Sequence, residues 1–286
     1  MRVVCAGHVN WDVTLFVDAL PAPDAEARIG DRREGGGGSA ANVAVALSRL
    51  GVTSGLVGAV ADDRDGRNAR RELREAGVDA RGVRVVEGGM TAVKYLVVTP
   101  DGETCVLGTE GVNEAFSTGT VPPDYFERAE HLHLTGQDPA TAAALAVRAR
   151  EMGLGVSFDP GRRLAGRADD EVLALADVVF LNEREAEAIR ERVPPGRVVV
   201  TKRGAGGATA ETPAGRIDHP GYDVEAVDST GAGDAFAAGF LAAILDGDGY
   251  ERALAVANAF GALVAGAPGT RPPFDPADVA DRCGPA

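Results

Sequence analysis

The sequence predicts an α/β fold of three layers, with a central, mostly parallel sheet covered by helices on both faces. Two observations carry that expectation. From His131 onward, short apolar runs alternate with helical patterns, and strands alternating with helices specify a parallel sheet buried on both sides. Nearer the C-terminus, Val227–Phe240 (VDSTGAGDAFAAGF) passes from an acidic, hydroxyl-bearing lead-in through Gly231-Ala232-Gly233-Asp234 into an apolar helix. Glycines there let the backbone approach a ligand, and the first N–H groups of a helix have no intrahelical partner. With the positive end of the helix dipole behind them, they form an anion site. Asp234 shares that turn. A carboxylate is a poor anion ligand, so its use is chemical: accepting a proton from a hydroxyl while the amides hold a phosphoryl group.

Composition narrows the classes. A chain of 286 residues buries a sizeable core without disulfide or metal staples. Its net charge of −14 opposes binding to nucleic acid or an anionic membrane by general electrostatics. The cysteines Cys5, Cys105 and Cys283 have no ligand-like spacing, which points to a reducing cytoplasm. No targeting segment or membrane span is expected. Only two lysines occur, Lys94 and Lys202; with the acidic excess, this suits a high-salt cytoplasm where screening relieves self-repulsion.

Taken in order, Arg2–Ala6 reads as a buried strand leading to Asn10-Trp11-Asp12. A carboxylate and an amide at a strand mouth suit a polyhydroxyl ligand, since both make paired hydrogen bonds. Thr14–Glu34 reads as short strands and turns broken by Pro21 and Pro23. The run Gly35–Gly38 is predicted to be a loop, with Ser39 as N-cap of a helix over Ala40–Leu50 that ends at Gly51. A strand over Leu56–Val60, a charged helix over Gly66–Ala76 and a hairpin of Thr91–Thr99 with Thr104–Gly108 follow. Alternation places Ala92, Lys94 and Leu96 on one face of that hairpin.

The βα series comprises strand His131–Leu134, helix Ala140–Met152, strand Gly155–Asp159, a helix near Glu171–Leu175 and strand Val178–Leu181. Helix Glu183–Arg190, strand Arg197–Thr201 and the glycine-led helix continue it, and a late helix spans Ala253–Val264. His131 and His133 share a strand face among apolar neighbours and are read as structural.

DSTGAGDAF closely resembles the C-terminal signature of the ribokinase-like (PfkB) family of carbohydrate and nucleoside kinases. Gly37-Gly38-Ser39-Ala40-Ala41-Asn42 matches its N-terminal signature, two glycines followed by a helix with an early Asn. The resemblance covers essentially the whole chain. It implies one ribokinase-like αβα sandwich over residues 1–286, with a small β-sheet lid from about 9–35 and 88–110. The implied activity is transfer of the γ-phosphoryl group of ATP to a primary hydroxyl, with Asp234 as base and the amides of Gly231, Ala232 and Gly233 as anion hole.

The same resemblance assigns the other sites. Asn10, Asp12, Gly37, Gly38, Asn42, Gln137 and Arg163 would bind the acceptor, with Lys94 as a lid cation. Asn182, Lys202, Gly204 and Asn258 would contact the nucleotide. Glu185 would order Mg2+ through its waters, and Asp228, with the backbone around Ala267–Thr270, would hold a monovalent cation, K+. A homodimer through the lid is implied. Two positions depart from the pattern: Gly161 stands where relatives often have Asn, and Ser39 where ribokinases often have Lys.

The acceptor stays open between a ribose-type molecule (nucleoside, ribose or ribose 1-phosphate) and, as runner-up, a sugar acid such as 2-keto-3-deoxygluconate or another sugar phosphate. A phosphate or carboxylate on it would call for Lys94, Arg162 or Arg163. A binding protein that kept the fold and lost the chemistry would normally lack Asp234, and here the Gly-Ala-Gly-Asp turn is intact.

Overall fold

The structure, a computed structural model, describes residues 1–101, 103–161 and 168–284, with Thr104 described by its backbone alone. In the first half, β1 (Val3–Ala6) leads to β2 (Asn10–Val17), β3 (Ile29–Gly37), α1 (Ser39–Arg49), β4 (Ser54–Ala61), α2 (Arg64–Glu75), β5 (Val83–Val86), β6 (Ala92–Val98) and β7 (Thr104–Gly108). The second half runs β8 (His131–Thr135), α3 (Pro139–Glu151), β9 (Gly155–Asp159), α4 (Asp170–Leu175), β10 (Val178–Asn182), α5 (Glu183–Ile189) and β11 (Val198–Lys202). It ends with β12 (Ala208–Thr212), β13 (Gly215–His219), α6 (Ala232–Leu245), α7 (Tyr250–Ala265) and α8 (Pro276–Cys283).

The larger sheet has the order β13-β12-β11-β10-β9-β8-β1-β4-β5. Strands β5 to β11 in that order are parallel, and only the β12–β13 hairpin at one edge is antiparallel. Alternation along a strand divides its side chains between two cores. Val3 and Cys5 face the core formed with α1, α6 and α7, whereas Val4 and Ala6 face that formed with α3 and α4. On the first face Phe180 of β10 meets Phe240 of α6 edge-to-face, ring centroids 5.4 Å apart. Truncating so enclosed a ring to Ala costs about 3–5 kcal/mol. The expected doubly covered parallel sheet is thus present. His131 and His133 are structural, both meeting Ser157 Oγ at 2.8 Å.

The second, four-stranded sheet has the order β3-β2-β6-β7. β2 pairs antiparallel with β3 and parallel with β6, which puts Asp12 beside Lys94 in register. Trp11 and Val13, on the opposite face, join the core that includes Ala69 and Leu73 of α2.

The glycine run differs from expectation. Gly35, Gly36 and Gly37 belong to β3, paired with Asp12, Trp11 and Asn10. Missing side chains leave room for charged ones: a Cβ on Gly36 would lie 2.5 Å from Nη1 of Arg271, and one on Gly37 would overlap the Asp12 carboxylate. Gly38 is the N-cap of α1 and no side chain caps that helix. Ser39 is therefore its first residue rather than its cap.

Candidate active site

The C-terminal ends of β8, β9, β10 and β11, the small sheet, and the N-terminal turns of α1 and α6 enclose a cleft of ≈ 1770 Å³. Ligands of open parallel sheets bind at these strand ends.

At its centre is the first turn of α6. Gly231 precedes the helix with φ 81°, and a Cβ there would overlap the Thr270 carbonyl. Glycine meets both the left-handed backbone and the close approach. No side chain caps α6, and Gly231, Gly233 and Asp234 line the cleft. Ala232 N–H donates to the Ser229 carbonyl at 3.2 Å, so an anion at this turn would rest on the glycine amides beside it.

Asp234 Oδ2 accepts from Asn42 Nδ2 at 2.7 Å, and the Ser39 hydroxyl reaches the same carboxylate. Burial pushes the Asp234 carboxyl up to about 6; Asp159 adds to that, while Asn42, Lys202 and Ser39 oppose it. Such a carboxylate is ionised at neutral pH and near the strength suited to accepting a proton. The first-turn amides beside it suit a phosphoryl group.

Towards β9–β11, Lys202 Nζ donates to Asp159 Oδ2 at 2.6 Å. Burial alone would push the Lys202 ammonium down, but Asp159, with Glu185 and Asp234, opposes it and the net direction is up. A Cβ on Gly233 would lie 3.6 Å from Lys202 Nζ, so this cation borders the first turn of α6. Asn182 and Glu185 form a capping box at the start of α5: Asn182 N–H donates to Glu185 Oε2 at 2.8 Å and Glu185 N–H to Asn182 Oδ1 at 2.9 Å. Burial raises the Glu185 carboxyl, and Asp159 adds to it. Among the described residues no group of three or more His, Cys, Asp or Glu side chains could hold a metal ion. One cleft-lining carboxylate with an amide fits a magnesium ion that keeps most of its waters.

Towards the small sheet, Asn10, Asp12, Asn42 and Lys94 line the cleft. Asn10 Oδ1 accepts from Asn113 Nδ2 at 2.8 Å, which leaves Nδ2 buried without a partner. Asp12 Oδ1 and both amide atoms of Gln137 are likewise buried and unpaired. Buried polar atoms are nearly always satisfied, so Asn10 and Asp12 mark where a hydroxyl-rich ligand would sit, whereas Gln137, expected to bind the acceptor, packs against Gly7 and does not line the cleft. Burial raises the Asp12 carboxyl, against the pull of Lys94 and Arg271.

Other expected residues sit elsewhere. Gly37 is packed against Asp12. Gly204 opens an exposed turn, and Asn258 is buried in α7 with Nδ2 on the Leu254 carbonyl at 2.7 Å; neither lines the cleft. Arg162 and Arg163 lie outside the described residues. Asp228 Oδ1 accepts from Thr230 N–H at 2.9 Å and Oδ2 from Gly269 N–H at 3.1 Å, tying the anion-hole turn to the loop after α7.

Three site residues carried no sequence signal of a role. Arg271 donates through Nε to Asn42 Oδ1 at 2.8 Å. Arg49 donates to the carbonyls of Arg271 and Pro272, each at 3.0 Å. Asn113 orients Asn10. Each acts across a long sequence separation, where no local pattern could announce it.

The family model for pfkB carbohydrate kinases matches residues 1–277. An ATP-dependent ribose-1-phosphate kinase of Halopiger xanaduensis is 55% identical over 278 residues, spanning 95% of this chain and 94% of that protein. A nucleoside kinase of Methanothermobacter thermautotrophicus is 29% identical over 282 residues, spanning 94% and 91%. The crystal structure of the Methanocaldococcus jannaschii nucleoside kinase superposes with a TM-score of 0.88 at 25% identity, over 99% of this chain and 97% of that one. The chain belongs to the pfkB carbohydrate kinase family and is a phosphotransferase with an alcohol group as acceptor.

Proposed function

We propose that the protein transfers the γ-phosphoryl group of ATP to the primary hydroxyl of ribose 1-phosphate, giving ribose 1,5-bisphosphate and ADP. The observation that carries this reading is the acceptor wall facing Asp234. It combines unpaired hydroxyl-binding atoms of Asn10 and Asp12 with the lid cation Lys94. An unpaired amide and carboxylate suit ribose hydroxyls, and a cation suits an anionic substituent. The 55% identity to a ribose-1-phosphate kinase supports it.

Asp234 takes the proton of the primary hydroxyl as its oxygen attacks the γ-phosphorus. The oxygen–phosphorus bond to ADP breaks in line, and the amides of Gly231 and Gly233 stabilise the transferring group, with Lys202 beside them. Mg2+, held near Asn182 and Glu185, would share the charge of the phosphates. Asp228 and the Gly266–Thr270 loop supply oxygen donors suited to K+. The small sheet serves as a lid that excludes water and as the surface of a homodimer. The acidic composition fits a salt-rich cytoplasm.

A phosphoryl-transfer screen in high KCl tests the acceptor, with ribose 1-phosphate, ribose, a nucleoside and 2-keto-3-deoxygluconate compared by kcat/KM. Ribose 1-phosphate should lead by about ten-fold or more, as one charged hydrogen bond allows. Faster turnover of the nucleoside or the sugar acid would overturn this substrate.

A further inference from the structure

Three charged side chains line the cleft beside the acceptor wall without a part in the chemistry so far: Arg271, Arg49 and Glu72. Arg271 is the centre of the group. Its side chain is only 12% exposed. Nε donates to Asn42 Oδ1 at 2.8 Å and Nη2 to the Gly37 carbonyl at 3.3 Å. Nη1 faces Glu72 Oε2 at 3.9 Å, and that carboxylate also accepts from Gly36 N–H at 2.7 Å.

An Asn side chain presents a donor on one side and an acceptor on the other. Asn42 serves Asp234 only with Nδ2 towards it; the flipped amide would put Oδ1 against a carboxylate. A donor fixed on Oδ1 decides the orientation, and Arg271 is that donor. The main chain beneath Arg271 is held in turn by Arg49, at the far end of the same helix as Asn42. Gly36 supplies an independent observation. Its missing side chain leaves the space that Nη1 fills, 2.5 Å from where a Cβ would stand. A burying pocket, a neutralising carboxylate and a directed Nε are features of a guanidinium built into place.

We propose that Arg271 is a positioning residue of the kinase: through Asn42 it locks the donor that orients Asp234 and helps keep that carboxylate ionised. The inference rests on Asp234 being the base and is independent of which alcohol is accepted. Facing Asp234 are Asn42 and Ser39 from α1, Arg271 from the loop after α7, Asp159 from β9, Lys202 from β11 and the buried thiol of Cys5 from β1. Arg271 and Lys202 are the cations of that set. Removing Arg271 leaves Asp159 opposed by Lys202 alone and frees the Asn42 amide to turn, and both changes weaken ionisation of Asp234.

The test is a pH–rate profile of Arg271→Met and Arg271→Lys, run with whichever acceptor the wild-type protein turns over. Arg271→Met should lower kcat by about ten- to a hundred-fold, the loss of one charged hydrogen bond. It should move the acid limb of kcat/KM to higher pH and leave KM for ATP unchanged. Arg271→Lys should restore the acid limb in part, since it keeps the charge and loses the directed Nε. In an Asn42→Ala background, Arg271→Met should cost clearly less than it does alone, since only the loss of its charge remains, the mark of residues acting through one another. Multiplying effects, or an unmoved acid limb, would overturn the proposal. If Arg271→Met shows no cooperative melt, Gly36→Ala gives the same readout: it displaces the guanidinium without removing it, and an unchanged profile there counts equally against the lock. Asp234→Asn with wild-type turnover would instead remove the base on which the inference stands.

Discussion

Lys202 and Asp159 form an ion pair across 2.6 Å at the ends of β11 and β9, with side-chain exposures of 16% and 12%. Asp234 feels both members, one attracting its negative charge and the other repelling it. The pair thus places a cation beside Gly233 without leaving either charge buried alone.

Lys202→Met leaves Asp159, Glu185 and Asp234 facing one another without that cation. The Asp234 carboxyl should rise further, moving the acid limb of the rate profile towards neutrality and lowering kcat at pH 7. An uncompensated buried charge costs about 3–5 kcal/mol, so the melting temperature should fall as well. A profile and melt that both coincide with wild type would show the pair to be dispensable.

Asp234→Asn should retain ATP affinity while kcat drops by about 10²-fold or more. A carboxylate acts as a base only when ionised, and the Asp234 carboxyl lies at about 6. kcat/KM should therefore decline as pH falls through that value and level off above it. Rates that stay flat down to pH 5 would exclude Asp234 as the titrating base.

The same substitution should stabilise the fold. A carboxyl raised to about 6 from its ordinary 3.8 binds its proton more tightly when folded. Stability is therefore lost as pH rises between those values, and the full penalty applies above pH 6. A rise of that size corresponds to about 3 kcal/mol. Asp234→Asn should melt several degrees above wild type at pH 8, and the gap should close towards pH 4. A variant that melts lower at pH 8 would contradict this sign.

Lys94 faces the cleft beside Asp12 in the small sheet. With ribose 1-phosphate as acceptor, Lys94→Ala should raise the acceptor KM about ten- to a hundred-fold and leave the ATP KM unchanged. Unphosphorylated ribose should be much less affected. Equal losses for both acceptors would assign Lys94 to packing rather than to the phosphate.

Potassium should activate beyond ionic strength alone, because Asp228 ties the anion-hole turn to the loop after α7. A KCl titration balanced with choline chloride separates the two effects. Identical rates along the series would remove the cation from the site.

Much of this was legible in the sequence because its signals are local. The βα alternation announced the parallel sheet, and β9 falls on Gly155–Asp159 as expected. The turn at Gly231 foretold α6 from three adjacent residue types. What stayed hidden depends on pairing at a distance. The β12–β13 hairpin is short and polar on its outer strand, so it offered no alternation to read. The glycine run passed for a loop because only its pairing with Asn10–Asp12 makes it a strand. Arg271 sits before Pro272-Pro273 with no periodic context; its role emerges only once α1 is folded against that loop. The Asp159–Lys202 pair likewise needs two separate strands to end side by side.

The register of the small sheet also bears on how this protein can diversify. Asp12 and Lys94 are neighbours on its central parallel pair, whereas Asp234, Lys202 and the anion-hole glycines belong to other elements. On the proposed reading, residues 10–17 and 92–98 form a cassette: substitutions on its cleft face should alter which alcohol is held and spare the groups that move the phosphoryl. Laboratory evolution confined to those fifteen positions should yield new acceptor preferences while the dependence of rate on Asp234 stays constant.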